Sequence, residues 1–595
     1  MTGTRNKNAF LFLLPAASDL ACAYELRYDM QLYKDDTCEK QTNGGTMKER
    51  QKRRSAYSMF ALLAVILTLM LSGCSGQKAG TQSTETAQTS AEAKNGAGTE
   101  TGSEEKTTEA AVNPDDEIVL AGYRNVAPGV DDAYYCSVIL YVWEPLITMD
   151  AAGQPVGKLA KSWEMSDDAK TWTFHLQEGV KFHDGEAFNA DAVLYNFDRM
   201  RSEVKPSGFY SLNIDSFYPN LDQVTKVDDY TVQLTFTEAS PTLLFTMTNF
   251  GSAMYSPKCF DENYNYTGIA QGTGPFKITE NVKDQYVLLE RNEDYWGEKA
   301  AAKTIRVMTI PDVNTRFSAM KSGEIMGVID LKAITPALAV ELVKDDQFAI
   351  TTTNSTMIDF LCLNGTKAPF DDVRMRKAFS LLVDRNAIAD NIYLGYASPT
   401  SNILNYSTPF YKDFPVEYDA EQAKALAKEV LGDQRVSVKY LVQQDNMEQK
   451  AEAELIAAIL PEIGVDVTIE SYDWAAMKDM MKSGDYDIAR GQQGLSNMEA
   501  ITIFKRFMYS TGDQNVNYSL GVKSAEIDGL IDQADAEIDL VKRQEAYDKL
   551  QEISVETQPV LPLYNEKTLM VYNKKLAGYE AQIYGLDLTK VGWAQ

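Results

Sequence analysis

Residues 436–442 read Val436-Ser-Val-Lys-Tyr-Leu-Val442, and this short run opens the part of the chain that decides the fold. Its length and its β-branched residues predict a buried strand. Beyond it the pattern alternates, and we predict a helix over 448–460 that ends at Pro461, a strand over 465–469, a helix over 474–482 and a strand over 485–489. This β-α-β-α-β order predicts an open α/β sheet with right-handed crossovers.

A polar segment comes after the last of these strands, Arg490-Gly-Gln-Gln-Gly-Leu-Ser-Asn-Met498, and it precedes a helical pattern. In open α/β sheets, ligands tend to bind beyond the carboxyl ends of the strands. We therefore predict that this segment reaches a ligand. An ordinary connecting loop is the alternative.

Other parts of the chain carry clear local patterns. Alternation of apolar and polar residues predicts half-buried strands over 172–176 and 230–236. One helix is predicted after Asn189, whose side chain can cap it, and another over 371–383, which has an apolar face at helical spacing. The remaining predicted elements are a strand over 118–120, helices over 525–536 and 541–554, and extended chain over 560–564 and 569–572.

An apolar run from Met59 to Leu71 comes after a basic cluster and ends in Leu71-Ser-Gly-Cys74. A basic segment, a short apolar run and small residues at its end are the parts of a secretory signal. The run is too short to span a bilayer with roughly 30 Å of hydrocarbon. The tetrad resembles a bacterial lipobox, which implies lipidation of Cys74; an ordinary signal peptide with a chance cysteine is the alternative. We expect the mature chain to be extracytoplasmic and anchored by lipid to the cell membrane.

The N-terminal region is predicted to contain three segments before any folded domain. Residues 1–46 are interpreted as a wrongly assigned upstream start, because a well-formed signal peptide begins at Met47 and covers 47–73. Residues 74–114 are interpreted as the lipidated cysteine and a disordered stalk. Beyond Cys74 this segment has no aromatic residue, so it cannot bury enough apolar surface to offset its ordering entropy.

Composition limits the class of protein. The formal net charge of −28 argues against nucleic acid and anionic lipid surfaces as partners. The body from residue 115 onward has about 480 residues, which is too many for one core and predicts two or three domains. After Cys74 the chain has three further cysteines, Cys136, Cys259 and Cys362, without metal-type spacing, and we expect buried free thiols.

The chain lacks the residues that most catalytic motifs require. It has two histidines, His175 and His183, and no metalloprotease, nucleotide-binding or nucleophile-elbow motif. His175 falls on the polar face of a predicted strand, and His183 precedes the turn dipeptide Asp184-Gly185, so surface and turn-stabilising roles are favoured for them. We expect no enzyme activity, no cofactor and no metal site.

Four stretches, in order along the chain, carry a family resemblance. The longest runs from Leu159 to Asn189 and includes Ala-Lys-Ser-Trp-Glu-Met-Ser-Asp-Asp-Ala and Gly-Val-Lys-Phe-His-Asp-Gly. The others are Gly272-Thr-Gly-Pro-Phe276, Arg291-Asn-Glu-Asp-Tyr-Trp-Gly297 and Pro369-Phe-Asp-Asp-Val-Arg-Met-Arg-Lys-Ala378. Together they resemble the bacterial family 5 extracellular solute-binding proteins, which are dipeptide, oligopeptide and nickel receptors of ATP-driven importers.

The resemblance implies an α/β fold of the periplasmic-binding-protein type II, with three lobes and a ligand cleft between the two major α/β lobes. Hinge closure would enclose the ligand. Permease and ATPase subunits of an ABC importer would be the partners, and we expect this chain to be a monomer. The implied boundaries are domain I at 115–155, 273–356 and 560–595, domain II, an inserted lobe, at 156–272, and domain III at 357–559.

The same resemblance suggests the ligand class. The aspartate that pairs with a peptide α-amino group in peptide-binding relatives is absent from 489–512, where Asn497 and Glu499 are the nearest candidates. The histidine of the nickel branch is also absent. A small peptide or peptide-like solute is favoured, with Arg490 as the partner of its carboxylate; a metal chelate and a sensory role are the alternatives. The residues implied to contact ligand are Asp131, Cys136, Phe209, Arg490, Gln492 and Asn497.

Overall fold

The computed structural model describes residues 113, 115–126, 139–150, 153–202, 214, 218–494 and 499–594. All of them belong to one compact unit. The predicted signal peptide and Cys74 lie outside the described residues, as does the predicted stalk except for Asn113. In the part of the chain that the structure describes, no helix is both long and apolar enough to cross a membrane.

The strands are numbered in chain order. They are β1 (Ile118–Gly122), β2 (Glu144–Pro145), β3 (Ile147–Met149), β4 (Pro155–Gly157), β5 (Ala160–Met165), β6 (Thr171–Leu176), β7 (Leu221–Asp228), β8 (Thr231–Phe236), β9 (Ala253–Met254), β10 (Phe276–Val282), β11 (Tyr286–Arg291), β12 (Thr304–Thr309), β13 (Gly327–Val328), β14 (Phe348–Leu363), β15 (Ala397–Pro399), β16 (Val436–Gln443), β17 (Val465–Tyr472), β18 (Ile488–Gln493), β19 (Leu561–Asn573), β20 (Leu576–Ala577), β21 (Ala581–Gln582), β22 (Gly585–Leu586) and β23 (Gly592–Trp593).

The α-helices of the described residues are numbered in the same way. They are α1 (Ala190–Arg201), α2 (Leu243–Thr246), α3 (Val313–Ser322), α4 (Pro336–Leu342), α5 (Val373–Leu382), α6 (Arg385–Asn391), α7 (Ala420–Leu431), α8 (Met447–Ile459), α9 (Trp474–Ser483), α10 (Ile501–Phe507), α11 (Asp513–Asn517), α12 (Ala525–Ala536) and α13 (Leu540–Thr557).

One large mixed sheet organises the molecule. Its strands lie in the order β10-β11-β12-β1-β13-β19-β14-β18-β16-β17, and β15 pairs with β19 outside this path. At one end β1 is parallel to β12 and β13, and at the other end β16 is parallel to β17 and β18. The antiparallel pair β14 and β19 joins the two parallel regions.

The long strands β14 and β19 belong to two cores at once. Phe348, at the start of β14, and residues 569–571 of β19 pack in the core formed with β1 and β12. Leu361, Leu363 and Leu561 pack in a second core with the helices beside β16. Both strands therefore cross from one lobe to the next, and the predicted boundary at 356/357 falls inside β14.

Three parts of the chain are named here by their position around these strands. They are lobe I (115–126, 139–150, 273–354 and 567–594), the inserted lobe (153–202 and 218–272) and lobe III (357–494 and 499–565). The inserted lobe contains the antiparallel sheet β5-β6-β8-β7 and helix α1. The inward side chains of β6 are buried in alternation, and Asn189 caps α1 by accepting from the Ala192 N–H, so both of these predictions are confirmed.

The predicted α/β order of lobe III is confirmed with one correction. Strand β18 begins at Ile488 and continues to Gln493, whereas the sequence pattern placed it over 485–489. The first four residues of the predicted ligand segment are therefore strand. The cause is tertiary, because β18 pairs residue by residue with β14, from Ile488 opposite Leu363 to Gln493 opposite Ile358.

Candidate ligand-binding site

The two strands that cross between lobes I and III contain a local irregularity. Asn354 pairs with Lys567 and Ile358 pairs with Asn565, so three residues of β14 face the single residue Glu566. The Ser355 hydroxyl donates to the Glu566 carbonyl oxygen at 2.8 Å, which holds the bulge. A bulge interrupts the hydrogen-bond ladder and bends the strand that contains it, so this is the point at which the sheet can flex.

A buried ion-pair cluster lies next to the bulge. The Nη2 of Arg490 is 2.7 Å from Asp359 Oδ1, and its Nε is 2.8 Å from Glu452 Oε1. The three side chains are 2 %, 1 % and 0 % exposed. Tyr564 accepts from Arg490 and donates to Glu452 Oε2 at 2.8 Å. Burial opposes the charge of Arg490, yet Glu452, Tyr564 and Asp359 raise its pKa well above the usual value.

A third carboxylate extends this cluster towards lobe I. The amide of Gln492 donates to Asp359 Oδ1 at 3.0 Å and to Glu566 Oε1 at 2.8 Å. Lys332, from the loop after β13, places its Nζ 3.1 Å from Glu566 Oε1. Gln492 therefore bridges the carboxyl groups of Asp359 and Glu566. Burial and the nearby Asp359 raise the pKa of Glu566 to about 7, although Lys332 opposes the shift.

A second set of contacts joins the inserted lobe to lobe III. The buried carboxyl of Glu499 accepts from the Tyr547 hydroxyl at 3.1 Å, and Thr242 of the inserted lobe lies close enough to oppose the rise in its pKa. The rings of Phe245 and Phe410 lie 6.4 Å apart across the same boundary. Burial raises the pKa of Glu499. These contacts hold the two lobes together beside the loop after β18.

Two of the stretches that carry the family resemblance converge on Glu144. The Thr273 hydroxyl donates to Glu144 Oε2 at 2.8 Å, and the Trp296 indole N–H donates to the same oxygen at 3.0 Å. The Tyr295 hydroxyl donates to Oε1 at 2.5 Å, and Lys158 Nζ is 3.1 Å from it. Because Glu144 is buried, these donors compensate the desolvation of its carboxylate.

The glycines of the 272–276 stretch allow a close backbone approach. A Cβ at Gly272 would lie 1.9 Å from the Val142 carbonyl oxygen, and one at Gly274 would lie 2.3 Å from that of Tyr141. His183 fixes the same segment, with its Nε2 2.9 Å from the Gly274 carbonyl oxygen and its Nδ1 accepting from the Gly272 N–H. Burial lowers the pKa of His183 to about 4, so the imidazole is a neutral structural group.

A cavity of about 650 Å³ lies between lobe I and the inserted lobe, beside Glu144. Its lining includes Tyr141, Trp296 and the charged groups Lys158, Asp587 and Lys590. Both lysines already pair with carboxylates of this chain. Within the described ranges, no group of three or more His, Cys, Asp or Glu side chains is arranged to hold a metal ion.

The structure describes two of the residues predicted to contact ligand. Gln492 is half-buried at the carboxyl end of β18 and links Asp359 to Glu566. Arg490 is buried, and the donors of its guanidinium contact groups of this chain. Its contact with a ligand carboxylate stays a prediction. Outside the described residues lie Asp131, Cys136, Phe209 and Asn497.

Sequence reasoning missed the acidic members of the cluster. Asp359 interrupts the apolar run that ends β14, and a charge in such a run is a signal for a buried ion pair. Glu452 is a buried residue of α8. Glu566 and Lys332 gave no signal, because their proximity depends on how β19 and the loop after β13 meet in space. Cys259 and Cys362 are buried free thiols, as the sequence predicts.

Comparison with known proteins places this geometry in context. The family profile described as "Bacterial extracellular solute-binding proteins, family 5 Middle" matches residues 154–515. The dipeptide-binding protein of Escherichia coli K12 is 28 % identical over 449 residues, which cover 71 % of this chain and 83 % of that protein. The nickel-binding periplasmic protein of the same strain is 29 % identical over 390 residues, covering 61 % and 73 %.

A solved structure agrees at the level of the fold. The crystal structure of NikA from Brucella suis in complex with Fe(III)-EDTA has a TM-score of 0.72 and 23 % sequence identity. The comparison covers 81 % of this chain and 100 % of that one.

Proposed function

The chain belongs to family 5 of the bacterial extracellular solute-binding proteins, and from that premise we propose that it is a lipid-anchored receptor for a small peptide or peptide-like solute, which it delivers to an ABC importer permease. Members of this family are extracytoplasmic proteins that bind peptides or nickel chelates for ABC importers, and the relatives named above are binding proteins rather than enzymes. The predicted α/β fold of the periplasmic-binding-protein type II is confirmed.

The observation that carries the proposal is the hinge between lobes I and III. Two antiparallel strands, β14 and β19, cross the boundary, and residues 355–357 form a bulge opposite Glu566. Bending at this bulge changes the angle between the lobes while the core of each lobe stays intact. A solute held between the lobes would stabilise the bent form, which a permease could distinguish from the open one.

The proposed ligand contacts are those that the family resemblance implies. Gln492 supports the proposal by its position at the carboxyl end of β18, where ligands of α/β sheets bind. Arg490 remains the proposed partner of a ligand carboxylate, and such a ligand would have to share the guanidinium with Asp359 and Glu452. Completing the proposed set are Asp131, Cys136, Phe209 and Asn497.

The proposed lipid anchor rests on the tetrad that ends at Cys74. Replacing Cys74 with alanine removes the thiol that would carry the lipid, so we expect the variant to leave the membrane fraction. The measurement is fractionation of cells that express the full chain, followed by immunoblotting. Cys259→Ala is a matched control, because Cys259 is a buried free thiol of the folded body. Equal membrane retention of the Cys74 variant and wild type would contradict lipid anchoring.

The ligand class is tested by native mass spectrometry of the full chain, purified from cells without denaturation. A family of adducts at peptide masses is the expected result. A single adduct with a metal isotope pattern would instead assign the protein to metal chelates, the second candidate that the nickel-binding relative favours. Adducts of neither kind, in protein that also fails to bind added peptides, would contradict the proposal.

A further inference from the structure

The cavity beside Glu144 is separate from the cleft in which the proposed function places its solute. Its walls come from lobe I and the inserted lobe, and none of the described residues that line it belongs to lobe III. Gln492 and the bulge opposite Glu566 lie instead where lobes I and III meet. The volume of about 650 Å³ falls within the roughly 300–1,000 Å³ of pockets that hold small molecules. The cavity is therefore a candidate for a second ligand site.

One buried donor in the cavity wall lacks an acceptor. Trp143 lines the cavity and is 3 % exposed, and in the part of the chain that the structure describes its indole N–H has no hydrogen-bond partner. Its ring is held in place by Tyr255, since the two ring centroids lie 5.1 Å apart. Trp172, another buried tryptophan, donates its N–H to the Ser240 carbonyl oxygen at 3.1 Å. Because an unpaired buried donor is unfavourable, a ligand oxygen in the cavity would stabilise Trp143.

Aromatic side chains form a second feature of the wall. Tyr141, Trp296 and Tyr584 line the cavity together with Trp143. Tyr584 and Ile583 are the two turn residues of the hairpin β21-β22, and both face the cavity as lining residues. Two-residue hairpin turns prefer Asn, Asp and Gly. A turn made of Ile and Tyr therefore indicates that these side chains serve the cavity wall and not the turn.

The charged groups of the wall favour a neutral ligand. Lys158 Nζ lies 5.5 Å from the ring centroid of Trp296, so a cationic ligand would meet a like charge at that ring. An anionic ligand would meet the carboxylates of Glu144 and Asp587, while Lys590 already pairs with a carboxylate of this chain. The unpaired Trp143 N–H adds that the ligand must bring an acceptor, which an ammonium group cannot do.

We propose that this cavity binds a neutral saccharide. A sugar hydroxyl can accept from the Trp143 N–H and can also donate to a carboxylate such as that of Asp587, so one kind of group suits both parts of the wall. The C–H faces of a sugar ring pack against aromatic faces, which carry partial negative charge. The sugar would join lobe I to the inserted lobe. This inference goes beyond the proposed function and does not depend on which solute the cleft binds.

The test uses the full chain and four neutral disaccharides, namely cellobiose, maltose, lactose and N,N′-diacetylchitobiose, with tetramethylammonium as a cationic probe. Isothermal titration calorimetry measures affinity, and hydrogen–deuterium exchange locates the bound probe. The variant is Trp143→Phe, which keeps an aromatic ring beside Tyr255 but removes the N–H. The matched control is Trp172→Phe, because Trp172 is equally buried, has its N–H paired with Ser240 and does not line the cavity.

We expect at least one disaccharide to bind and to slow exchange of the β21-β22 hairpin and of residues 295–298, while exchange in lobe III is unchanged. The Trp143 variant should bind the same sugar at least about fivefold more weakly, because one hydrogen bond is lost. The Trp172 variant should bind it as tightly as wild type. The exchange pattern of the wild type needs no variant, so it decides the location of the sugar even if Trp143→Phe fails to fold.

Four results would overturn the inference. If the wild type bound none of the disaccharides, the cavity would not be a saccharide site, while the receptor function would stand. Protection by a sugar in lobe III alone would move it to the cleft and would contradict the peptide ligand of the proposed function as well. Binding of tetramethylammonium in place of the sugars would assign the cavity to cations. Equal sugar affinity of wild type and a folded Trp143 variant would show that the unpaired donor does not contact the ligand.

Discussion

Replacing Arg490 with methionine should destabilise lobe III more than any exposed arginine change. The substitution keeps the length and apolar stem of the side chain but leaves Asp359 and Glu452 as buried carboxylates without their cation. Breaking a buried ion pair in this way costs about 3–5 kcal/mol. Because one arginine serves two carboxylates here, we expect the upper part of that range. The matched control is Arg435→Met. Arg435 and its partner Asp466 are both half exposed, so this substitution should cost at most about 1 kcal/mol.

Hydrogen–deuterium exchange of β18 and β14 is the assay, because it reports the local free energy of opening. A loss of 3–5 kcal/mol corresponds to exchange that is roughly 150- to 5,000-fold faster. The loss of local stability in the Arg490 variant should be smaller at pH 5 than at neutral pH. Burial already raises the pKa of Glu452, and Arg490 opposes that rise. Without Arg490 the cost of the buried Glu452 carboxylate is present above its folded pKa and is relieved when it takes up a proton. Exchange rates within a factor of five of the control would refute the assignment of this cluster as a stabilising one.

The other predictions concern the junction around Gly274. His183→Gln should remove a pH dependence of the free energy of unfolding. In the wild type His183 takes up a proton below about pH 6.5 in the unfolded chain but only near pH 4 in the folded one, so stability should fall by up to about 3 kcal/mol as the pH decreases from 6.5 to 4. Thermal denaturation at several pH values measures this, and the same dependence of stability on pH in both proteins would contradict it. Gly274→Ala should destabilise by about 1–3 kcal/mol, because its Cβ meets the Tyr141 carbonyl. Gly529 lies on α12 with open space around it, so the control Gly529→Ala should stabilise the protein by about 0.5–1 kcal/mol. Urea denaturation measures the stability of both variants. Equal effects of the two substitutions would be inconsistent with the close approach of Gly274 to Tyr141.

The sequence predicted those elements whose local pattern and tertiary environment agree. The helix after Asn189 has its cap and its apolar face in the same dozen residues, and it forms as expected. The predicted helix over 371–383 forms as α5, with Met375 and Phe379 buried. In these segments periodicity alone identifies the face that packs against the core.

The site was less predictable because its residues are brought together by pairing between distant strands. The extent of β18 is set by β14, which pairs with it up to Gln493, so the polar residues 490–493 became strand despite their loop-like composition. Glu566 reaches Asp359 only because β19 lies beside β14 with a bulge between them. Neither the register nor the bulge is visible in the local pattern of either strand.

The paired strands at the hinge also allow lobe III to be exchanged as one unit for the lobe of a relative. Leu361 and Leu561 are cross-strand partners, so the chain enters and leaves lobe III at neighbouring points. Directly opposed residues of an antiparallel pair have Cβ atoms roughly 5 Å apart. A relative's lobe could therefore be spliced in at these two positions without altering the separation of the joined ends. Such a chimera would inherit one wall of the ligand cleft while keeping the opposite wall from lobe I.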